Sequence, residues 1–424
     1  MSKNPARLPV WTVVALLAAC HAPTRESSRV LTPPLNEVGA TTPTAPGRRL
    51  PPRPSDLSGP IEIAVRIEAA EGQGLLILEN GSHTLTVRRL GEGLEAGGRV
   101  HPRLVFEARG SGREVSWNGQ RYGGRFEVVP HPQEGLRLIN LVDLETYVEG
   151  VVASELPLWS AQPAELEAQA ISARTYALYT LAMRGALSPG TEARHASLSD
   201  SVANQAYCGL PANALANVES ESSRRRMAAA VGSAVEKTRG GVLTREGRLE
   251  NVRYHASCGG RTSDLQEVFS ETGSGSAGID CPCDEAGAEA QKREWKYTFT
   301  ATQLGELART LGVGDRIVSL KPVQEQPWRW SEVRVAGDSG QVRVSFLRLR
   351  SLLGPSLLRS GRIEGTWPHP GDSIQPGGGW AVYGAGHGHG AGLCQTGTHL
   401  LAKQEWSSVR ILRHYFAGTV VQTL

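Results

Sequence analysis

Short runs in which apolar and polar residues alternate follow one another along residues 61–140, and this pattern predicts β-strands. Gly, Asn and Ser separate the runs. The dipeptide Asn118-Gly119 joins two of them and is a strong signal for a tight hairpin. We therefore predict a β-rich N-terminal part. Its runs are IEIAVRI, GLLILEN, HTLTVRRL, RLVFEA, EVSW, RFEVV and GLRLINLV.

The period changes after Pro157, where apolar residues recur at helical spacing. This predicts a helix over about residues 164–184, with Pro163 near its start and Gly185 as its stop. The whole pattern predicts an α+β fold, in which the β-rich part precedes a mixed helix and strand domain. Further predicted elements are a helix over 222–237, a hairpin that turns at Glu246-Gly247, a helix over 303–311, strands over 331–337 and 341–347, and a short helix within 407–419.

The N-terminus has the features of an export signal. Lys3 and Arg7 precede an apolar run of about ten residues, which is too short to span a bilayer as a helix. The run ends in Leu-Ala-Ala-Cys, which is similar to a bacterial lipobox with Cys20 as the lipidated residue; a plain signal peptide is the alternative. Residues 21–58 are rich in Pro, Thr, Arg and Ser and predict a disordered tether. We predict a signal peptide over 1–20, this tether, and one domain over 59–424, lipid-anchored in the cell envelope and facing the periplasm or at the outer membrane.

The charge balance argues against one class of partner. The chain has 45 basic and 42 acidic side chains and a formal net charge of +3, and the basic residues form no block along the sequence. Proteins that follow nucleic-acid backbones concentrate Lys and Arg in one stretch or on one face. Nucleic acid is therefore not expected as a partner.

Glu155 stands in the stretch EGVVASELPLW, where valine and alanine neighbours are of the kind that becomes buried. A buried carboxyl group is costly unless it is paired, hydrogen-bonded or protonated. Two interpretations follow. Glu155 either caps the next helix or pairs with an arginine, or it performs a chemical task.

Histidine and cysteine form a second unusual group. His255 and Cys258 are an H-x2-C pair, and Cys281 and Cys283 are a C-x-C pair. Thiolates and an imidazole at such spacings suit tetrahedral zinc, and a closed set of four would be a structural site. Disulfides are the alternative in an exported chain. With Cys20 lipidated and three cysteines bound to metal, Cys208 and Cys394 would remain to pair or stay free.

The stretch VYGAGHGHGAGLCQTG, residues 382–397, predicts a loop whose backbone approaches another group closely or adopts positive φ. Its histidines, His387 and His389, face a ligand in the functional interpretation and are incidental in the simpler one. Cys394 lies close by in sequence, so a thiol nucleophile activated by imidazole is a further, weaker hypothesis.

Five stretches occur in order along the chain, namely LETYVEGVVASELP with AQAISARTYAL, DSVANQAYCG, GGVLTREGRLENVRYHASCGGRT, GHGAGLCQTGT and HYFAGT. They resemble the motifs of the SpoIID/LytB family, named for stage II sporulation protein D and the amidase enhancer LytB. The resemblance covers Ile61 to Leu424. Leu156, Cys394 and Thr398 stand where the family more often has Met, Ser and Ala.

The resemblance implies lytic transglycosylase activity on peptidoglycan strands from which amidases have removed the stem peptides. It aligns Glu155 with the catalytic glutamate of the family. An apolar setting would raise the pKa of this residue, which suits an acid that protonates a glycosidic oxygen near neutral pH. The neighbours able to supply that setting are Val151, Val152, Leu156 and Trp159.

The resemblance also implies a set of substrate-binding side chains and partners. Zinc near the Y-H-x-x-x-G-G segment of some family members supports His255 and Cys258 more than the C-x-C pair. Apart from structural zinc, no cofactor is implied. A non-catalytic protein that binds peptidoglycan and activates an amidase is the alternative function. The implied substrate-binding residues are Gln169, Arg174, Tyr176, Gln205, Tyr207, His389 and Gln395.

Overall fold

The described residues form two compact units. The N-terminal unit comprises the residues up to Trp159 together with Ala177–Glu236, and the C-terminal unit comprises Ser160–Tyr176 and Lys237–Leu424. The predicted signal peptide, Cys20 and most of the predicted tether lie outside the described residues. The computed structural model describes residues 50–57, 59–81, 83–107, 114–186, 198–269, 271, 278–284, 294–324 and 328–424.

Two antiparallel sheets dominate the N-terminal unit. One has the strand order β5-β4-β3-β2-β7-β8, and the other has the order β11-β1-β10-β9-β6, in which only the β1–β11 pair is parallel. The strands are β1 (Glu62–Arg66), β2 (Leu75–Asn80), β3 (His83–Leu90), β4 (Gly93–Ala96), β5 (Arg99–His101), β6 (Leu104–Glu107), β7 (Glu114–Trp117), β8 (Gln120–Gly123), β9 (Arg125–Pro130), β10 (Leu136–Asp143) and β11 (Leu198–Ser199).

Alternation along these strands places one set of side chains in the core. In β2, Leu76 and Leu78 are buried, whereas Leu75 and Ile77 between them are exposed. The hairpin from β7 to β8 turns at Asn118 and Gly119, whose φ values of 51° and 73° are those of a type I′ turn. The predicted β-rich N-terminal part is confirmed.

A helix that the sequence pattern did not predict follows β10 directly. This helix, α1 (Leu144–Glu155), begins because the Asp143 carboxylate accepts hydrogen bonds from the N–H groups of Glu145 and Thr146, at 2.9 and 3.3 Å. It ends where Leu156 turns extended before Pro157. Glu155 is therefore the last helical residue. The other helices with residues in this unit are α2 (Pro163–Met183), which begins in the C-terminal unit, α3 (Pro211–Ala214) and α4 (Glu221–Lys237).

Four small sheets and five further helices build the C-terminal unit. The sheets have the orders β13-β12-β22, β14-β21, β15-β20-β19 and β16-β17-β18. The strands are β12 (Gly241–Arg245), β13 (Arg248–Leu249), β14 (Tyr254–His255), β15 (Glu294–Phe299), β16 (Ile317–Pro322), β17 (Glu332–Gly337), β18 (Gln341–Ser345), β19 (Ile363–Trp367), β20 (Trp380–Ala385), β21 (Leu393–Cys394) and β22 (Val420–Thr423). The helices are α5 (Leu265–Phe269), α6 (Ala301–Leu311), α7 (Phe346–Leu353), α8 (Gln395–Lys403) and α9 (Ser408–Tyr415).

Two apolar cores lie in this unit. One packs Trp295, Phe299, Trp330 and Trp380 with the inner faces of the β15 and β17 sheets. The other surrounds a group of cysteines with residues of α2, α8 and α9. The α+β fold is confirmed, and in the described part of the chain no helix is both long and apolar enough to cross a membrane.

Candidate functional site

Glu155 lies at the C-terminal end of α1 and accepts a hydrogen bond from the backbone. Its side chain is half-buried. The N–H of Ala206 donates to Glu155 Oε1 at 2.8 Å. Because an N–H can only donate, Oε1 must act as the acceptor in this arrangement. This contact favours Oε2 as the oxygen that carries the proton when Glu155 is protonated.

Ala206 belongs to a loop that is fixed at both ends. The N–H of Tyr207 donates to the carbonyl of Asp200 at 3.1 Å, and Asp200 Oδ1 accepts from the N–H of Glu68 at 3.0 Å. Burial raises the pKa of Asp200 to about 7, and the nearby Glu68 carboxylate adds to the increase. Asp200 is thus an acidic residue in the same unit as Glu155, and its protonation state changes near neutral pH.

The side chains on either side of Ala206 point into the core of the N-terminal unit. Gln205 Oε1 accepts from the hydroxyl of Tyr147 at 2.8 Å, and the hydroxyl of Tyr207 donates to Asn140 Oδ1 at 2.7 Å. Both Gln205 and Tyr207 are buried. These contacts fix the position of the Ala206 N–H, while direct sugar contacts by Gln205 and Tyr207 stay predictions.

Gly150 lets α1 pack directly against the end of this loop. A Cβ at this position would lie 2.2 Å from the carbonyl oxygen of Gly209 and 2.6 Å from the ring of Tyr207. No side chain larger than that of glycine fits there without displacement. The spacing between α1 and the loop therefore depends on this glycine.

The apolar neighbours of Glu155 divide into two groups. Val151, Val152 and Leu156 are buried, as expected from the sequence. Trp159 differs, because its side chain is 50% exposed. Glu155 thus follows a buried apolar stretch of α1, and an exposed aromatic side chain lies four residues further along the chain.

The predicted residues of α2 lie in the C-terminal unit and are buried there. Arg174 Nη1 donates to the carbonyl of Gly241 at 2.9 Å, which ties α2 to β12. Tyr176 packs edge-on against Tyr254, and the guanidinium of Arg253 lies over its ring. Both amide atoms of Gln169 are buried and have no hydrogen-bond partner among the described residues. Substrate contacts by these residues stay predictions.

The glycine-rich loop has the backbone conformation that its sequence predicts. Gly386, Gly388, Gly390 and Gly392 all have positive φ, between 75° and 103°. The groups that they approach belong to the protein itself. A Cβ at Gly390 would overlap the guanidinium of Arg329, for example. The glycines are thus required by internal packing, whatever else the loop contacts.

The two predicted residues of this loop region are partly buried. His389 Nε2 donates to the carbonyl of Tyr254 at 2.8 Å, and its Nδ1 accepts from the N–H of Ala391 at 3.2 Å. Burial lowers the pKa of His389 well below its usual range, and nearby His255 adds to the decrease. His389 is therefore neutral. Gln395 begins α8 and is partly buried.

Four buried cysteines form a cluster in the core of the C-terminal unit. The Sγ atoms of Cys258, Cys281, Cys283 and Cys394 all lie within 4.8 Å of one another. Tetrahedral zinc with Zn–S bonds of about 2.3 Å separates its sulfur ligands by about 3.8 Å, so a small adjustment suffices. The donor set and its spacing therefore fit a zinc ion.

Backbone N–H groups point at these sulfur atoms. The N–H of Gly260 donates to Cys283 Sγ at 3.1 Å, and that of Cys258 donates to Cys394 Sγ at 3.3 Å. Hydrogen bonds from the Cys258 and Cys281 thiols lower the pKa of Cys283. Donors of this kind stabilise thiolates, which are the form that binds metal.

Cys394 completes this group in place of His255. Strands β14 and β21 pair in parallel and put His255 opposite Cys394, so the two side chains occupy neighbouring positions. His255 Nδ1 donates to the carbonyl of Ala391 at 3.0 Å, and burial lowers the pKa of His255 to about 3. The predicted ligands Cys258, Cys281 and Cys283 are brought together, whereas His255 stands outside the four-sulfur group.

The same position argues against Cys394 as a nucleophile. Its side chain is fully buried, and burial raises the pKa of its thiol. Reactive cysteines are partly exposed and have a lowered pKa. The cluster also excludes Cys394 from a disulfide with Cys208, since Cys394 is one of the free thiols.

Comparison with known proteins places Glu155 and Ala206 inside one matched segment. A sequence model of the SpoIID domain, described as stage II sporulation protein, matches residues 132–245. The chain therefore contains a SpoIID domain. The matched segment contains α1, the loop with Asp200 and Ala206, and strand β12.

Relatives of this chain align over most of its length. An uncharacterized protein of Brachyspira hyodysenteriae is 24% identical over 83% of this chain and 83% of its own. Stage II sporulation protein D of Bacillus subtilis is 28% identical over 66% of this chain and 74% of its own. The protein of the same name in Bacillus amyloliquefaciens is 26% identical over 65% and 73%.

Asp200 and Ala206 were not among the predicted functional residues. Both lie in the motif DSVANQAYCG, from which only Gln205 and Tyr207 were selected. The type of a residue does not reveal whether its backbone N–H contacts a functional group, so the sequence did not indicate Ala206. Asp200 could have been selected, because an acid that begins a fixed loop next to buried strands is a candidate for a raised pKa.

Proposed function

We propose that this chain is a lytic transglycosylase that cleaves MurNAc–GlcNAc linkages in peptidoglycan, with Glu155 as general acid and then general base. The SpoIID family is associated with cell-wall lytic activity. The observation that carries the proposal is the 2.8 Å hydrogen bond from the Ala206 N–H to Glu155 Oε1. It orients one carboxyl oxygen and so supports proton transfer through the other.

Two features of the surroundings suit an acid. The C-terminal end of α1 carries partial negative charge, which disfavours a further negative charge on Glu155. The neighbouring side chains of Val151, Val152 and Leu156 are buried and apolar, so they offer the carboxyl group no polar partner. The Ala206 N–H is then available to stabilise the carboxylate once the proton has left.

The reaction needs only one carboxyl group. Glu155 Oε2 donates its proton to the glycosidic oxygen as the bond between that oxygen and C1 of MurNAc breaks. The 6-hydroxyl of the same MurNAc attacks C1, and its proton passes to Glu155. The products are a 1,6-anhydroMurNAc end and a new GlcNAc end, and the acid is regenerated without water. Hydrolases need a second carboxylate to activate water or form an intermediate.

The cysteine cluster would hold a zinc ion through Cys258, Cys281, Cys283 and Cys394. With four protein ligands such an ion has no open position, so it would supply stability and no chemistry. It would join the segment after β14, the short helix at residues 282–284 and the start of α8. Along the chain, Gly386 to Gly392 of the glycine-rich loop lie between the short helix at residues 282–284 and the start of α8.

We also propose that the chain works outside the cytoplasm, attached by a lipid on Cys20, on strands that an amidase has stripped of peptide. These points rest on the N-terminal sequence and on the family. We do not propose nucleic acid as a partner.

Mass spectrometry of the products tests the proposal. Purified protein would be incubated with intact and with amidase-treated strands, beside Glu155→Gln and the control Glu149→Gln, an equivalent change in the same helix. We expect anhydroMurNAc ends with the unaltered protein and with the control, and none with Glu155→Gln. If no variant cuts but all bind the strands and stimulate an amidase, the activating function replaces the enzymatic one.

A further inference from the structure

Three cations stand side by side across one sheet of the C-terminal unit. In the sheet β16-β17-β18, Lys321 is directly opposite Arg334, and Arg334 is directly opposite Arg343. Residues paired in this way point to the same face. All three side chains are exposed, and we call them the cationic row. With strands about 4.8 Å apart, the row extends over roughly 10 Å.

The opposite face of the sheet explains why the row points outward. Leu320, Val333, Val335 and Val344 alternate with the three cations along their strands and are buried in the apolar core. The period of two therefore fixes the cations on the solvent side. Their arrangement is a property of the register, not of a flexible surface.

The cationic row has no close counter-ion among the described residues. None of its members forms an ion pair with a described residue. Glu332, on the same face and two residues from Arg334, is also without an ion pair to them. Like charges directly opposite each other destabilise a sheet. A row of three such charges is accordingly suited to an external anion.

A chain segment with an exposed tryptophan reaches the row at its other end. Gly371 donates from its N–H to the carbonyl of Leu320 at 3.0 Å, and a Cβ at Gly371 would contact the Lys321 side chain. Trp367 lies four residues before Gly371, and its side chain is 69% exposed. An exposed aromatic ring on a segment that reaches a row of cations suits a polymer that has both sugar rings and negative charges.

We propose that the cationic row binds the lactyl carboxylates of peptide-free peptidoglycan strands. Removal of a stem peptide by an amidase exposes one such carboxylate on each MurNAc, which makes the stripped strand a regularly spaced polyanion. The row would hold the strand by charge while Trp367 contacts a sugar ring. This inference rests on the proposed function for its choice of ligand, but it concerns residues distinct from Glu155.

Binding measurements with defined strands test the inference. In a Glu155→Gln background, which prevents cleavage, the triple variant Lys321→Gln, Arg334→Gln and Arg343→Gln is compared with a control triple variant. The control removes the same number of charges at the exposed positions Arg88, Lys403 and Arg413. The probes are amidase-stripped strands and the same strands with their lactyl carboxyls converted to methylamides.

We expect the row variant to bind stripped strands about three- to tenfold more weakly at low salt, and the control to bind like the parent. Methylamide strands should bind all three proteins equally, and added salt should remove the difference. Equal loss in both triple variants would overturn the inference, because net charge alone would then explain it. The inference would also be overturned if the row variant bound strands as well as the parent but bound phosphatidylglycerol vesicles more weakly, because the row would then be a membrane contact. Product analysis with intact Glu155 separates failure of this inference from failure of the proposed reaction.

Discussion

Replacing Gly150 with alanine should uncouple Glu155 from its backbone donor. The new Cβ would lie 2.2 Å from the carbonyl oxygen of Gly209, and a real Cβ needs at least 3.0 Å. Helix α1 and the loop must therefore separate by at least 0.8 Å. A shift of that size along the bond from Ala206 to Glu155 stretches it from 2.8 Å to about 3.6 Å, where it no longer counts as a hydrogen bond.

The cost of this overpacking should appear in both stability and activity. Forcing an extra methyl group into a packed site costs about 1–3 kcal/mol of unfolding free energy. A misplacement of about 1 Å at a reacting group can reduce the rate roughly 10²-fold. The assays are urea unfolding and the rate of anhydroMurNAc formation.

Gly232→Ala is the matched control. Gly232 lies in α4 of the same unit, and its added Cβ would meet no atom closer than 3.7 Å. Alanine at this helical position should leave activity unchanged and raise stability by about 0.5–1 kcal/mol. If Gly150→Ala cuts strands at the rate of the unaltered protein, the Ala206 donor does not position the acid and the reasoning from this contact is refuted.

Three further predictions concern the acid of the loop and the cysteine cluster. Folding raises the pKa of Asp200 from 3.8 to about 7, so between these pH values the folded state binds more protons than the unfolded state. The free energy of unfolding therefore falls by up to about 1.4 kcal/mol per pH unit as the pH rises. Asp200→Asn should flatten this slope in urea titrations at several pH values, and an unchanged slope would contradict the assignment. Cys394→Ser should reduce the zinc content of purified protein from about one ion per chain and lower the thermal midpoint, as measured by metal analysis and calorimetry. His255→Ala should leave zinc content unchanged, since four sulfur atoms complete the set without it; loss of the metal in this variant would restore His255 as a ligand.

Much of the fold could be predicted because its signals are local. The strands of residues 61–140 and helix α2 followed directly from periodicity, and the turns at Asn118-Gly119 and Glu246-Gly247 adopt the positive φ values that their residues favour. Helix α1 was missed because LETYVEGVVASE has a central glycine and β-branched residues, which weaken the helical pattern. Its start signal, the Asp143 cap, was present in the sequence.

The candidate site was only partly predictable because its key contacts join residues that are distant in sequence. Glu155 could be selected as a carboxyl group in an apolar stretch, but its partner is a backbone N–H that lies 51 residues away. Cys394 was separated from the other cysteines by more than a hundred residues, and only the pairing of β14 with β21 brings it into the cluster. The cationic row shows the same limit. Its members are separated along a chain whose basic and acidic residues are nearly equal in number, and only the register of the strands brings them side by side.

The central claim is that Glu155 cleaves the strand with an internal hydroxyl as nucleophile, and the most direct test is the reaction in oxygen-18 water. Products of peptide-free strands would be analysed by mass spectrometry for the unaltered protein and for Glu155→Gln. We predict anhydroMurNAc ends without oxygen-18, formed only when Glu155 is present. Reducing ends that carry one oxygen-18 atom would show attack by water, and equal product from Glu155→Gln would show that Glu155 takes no part in the reaction. Either result would contradict the proposed mechanism.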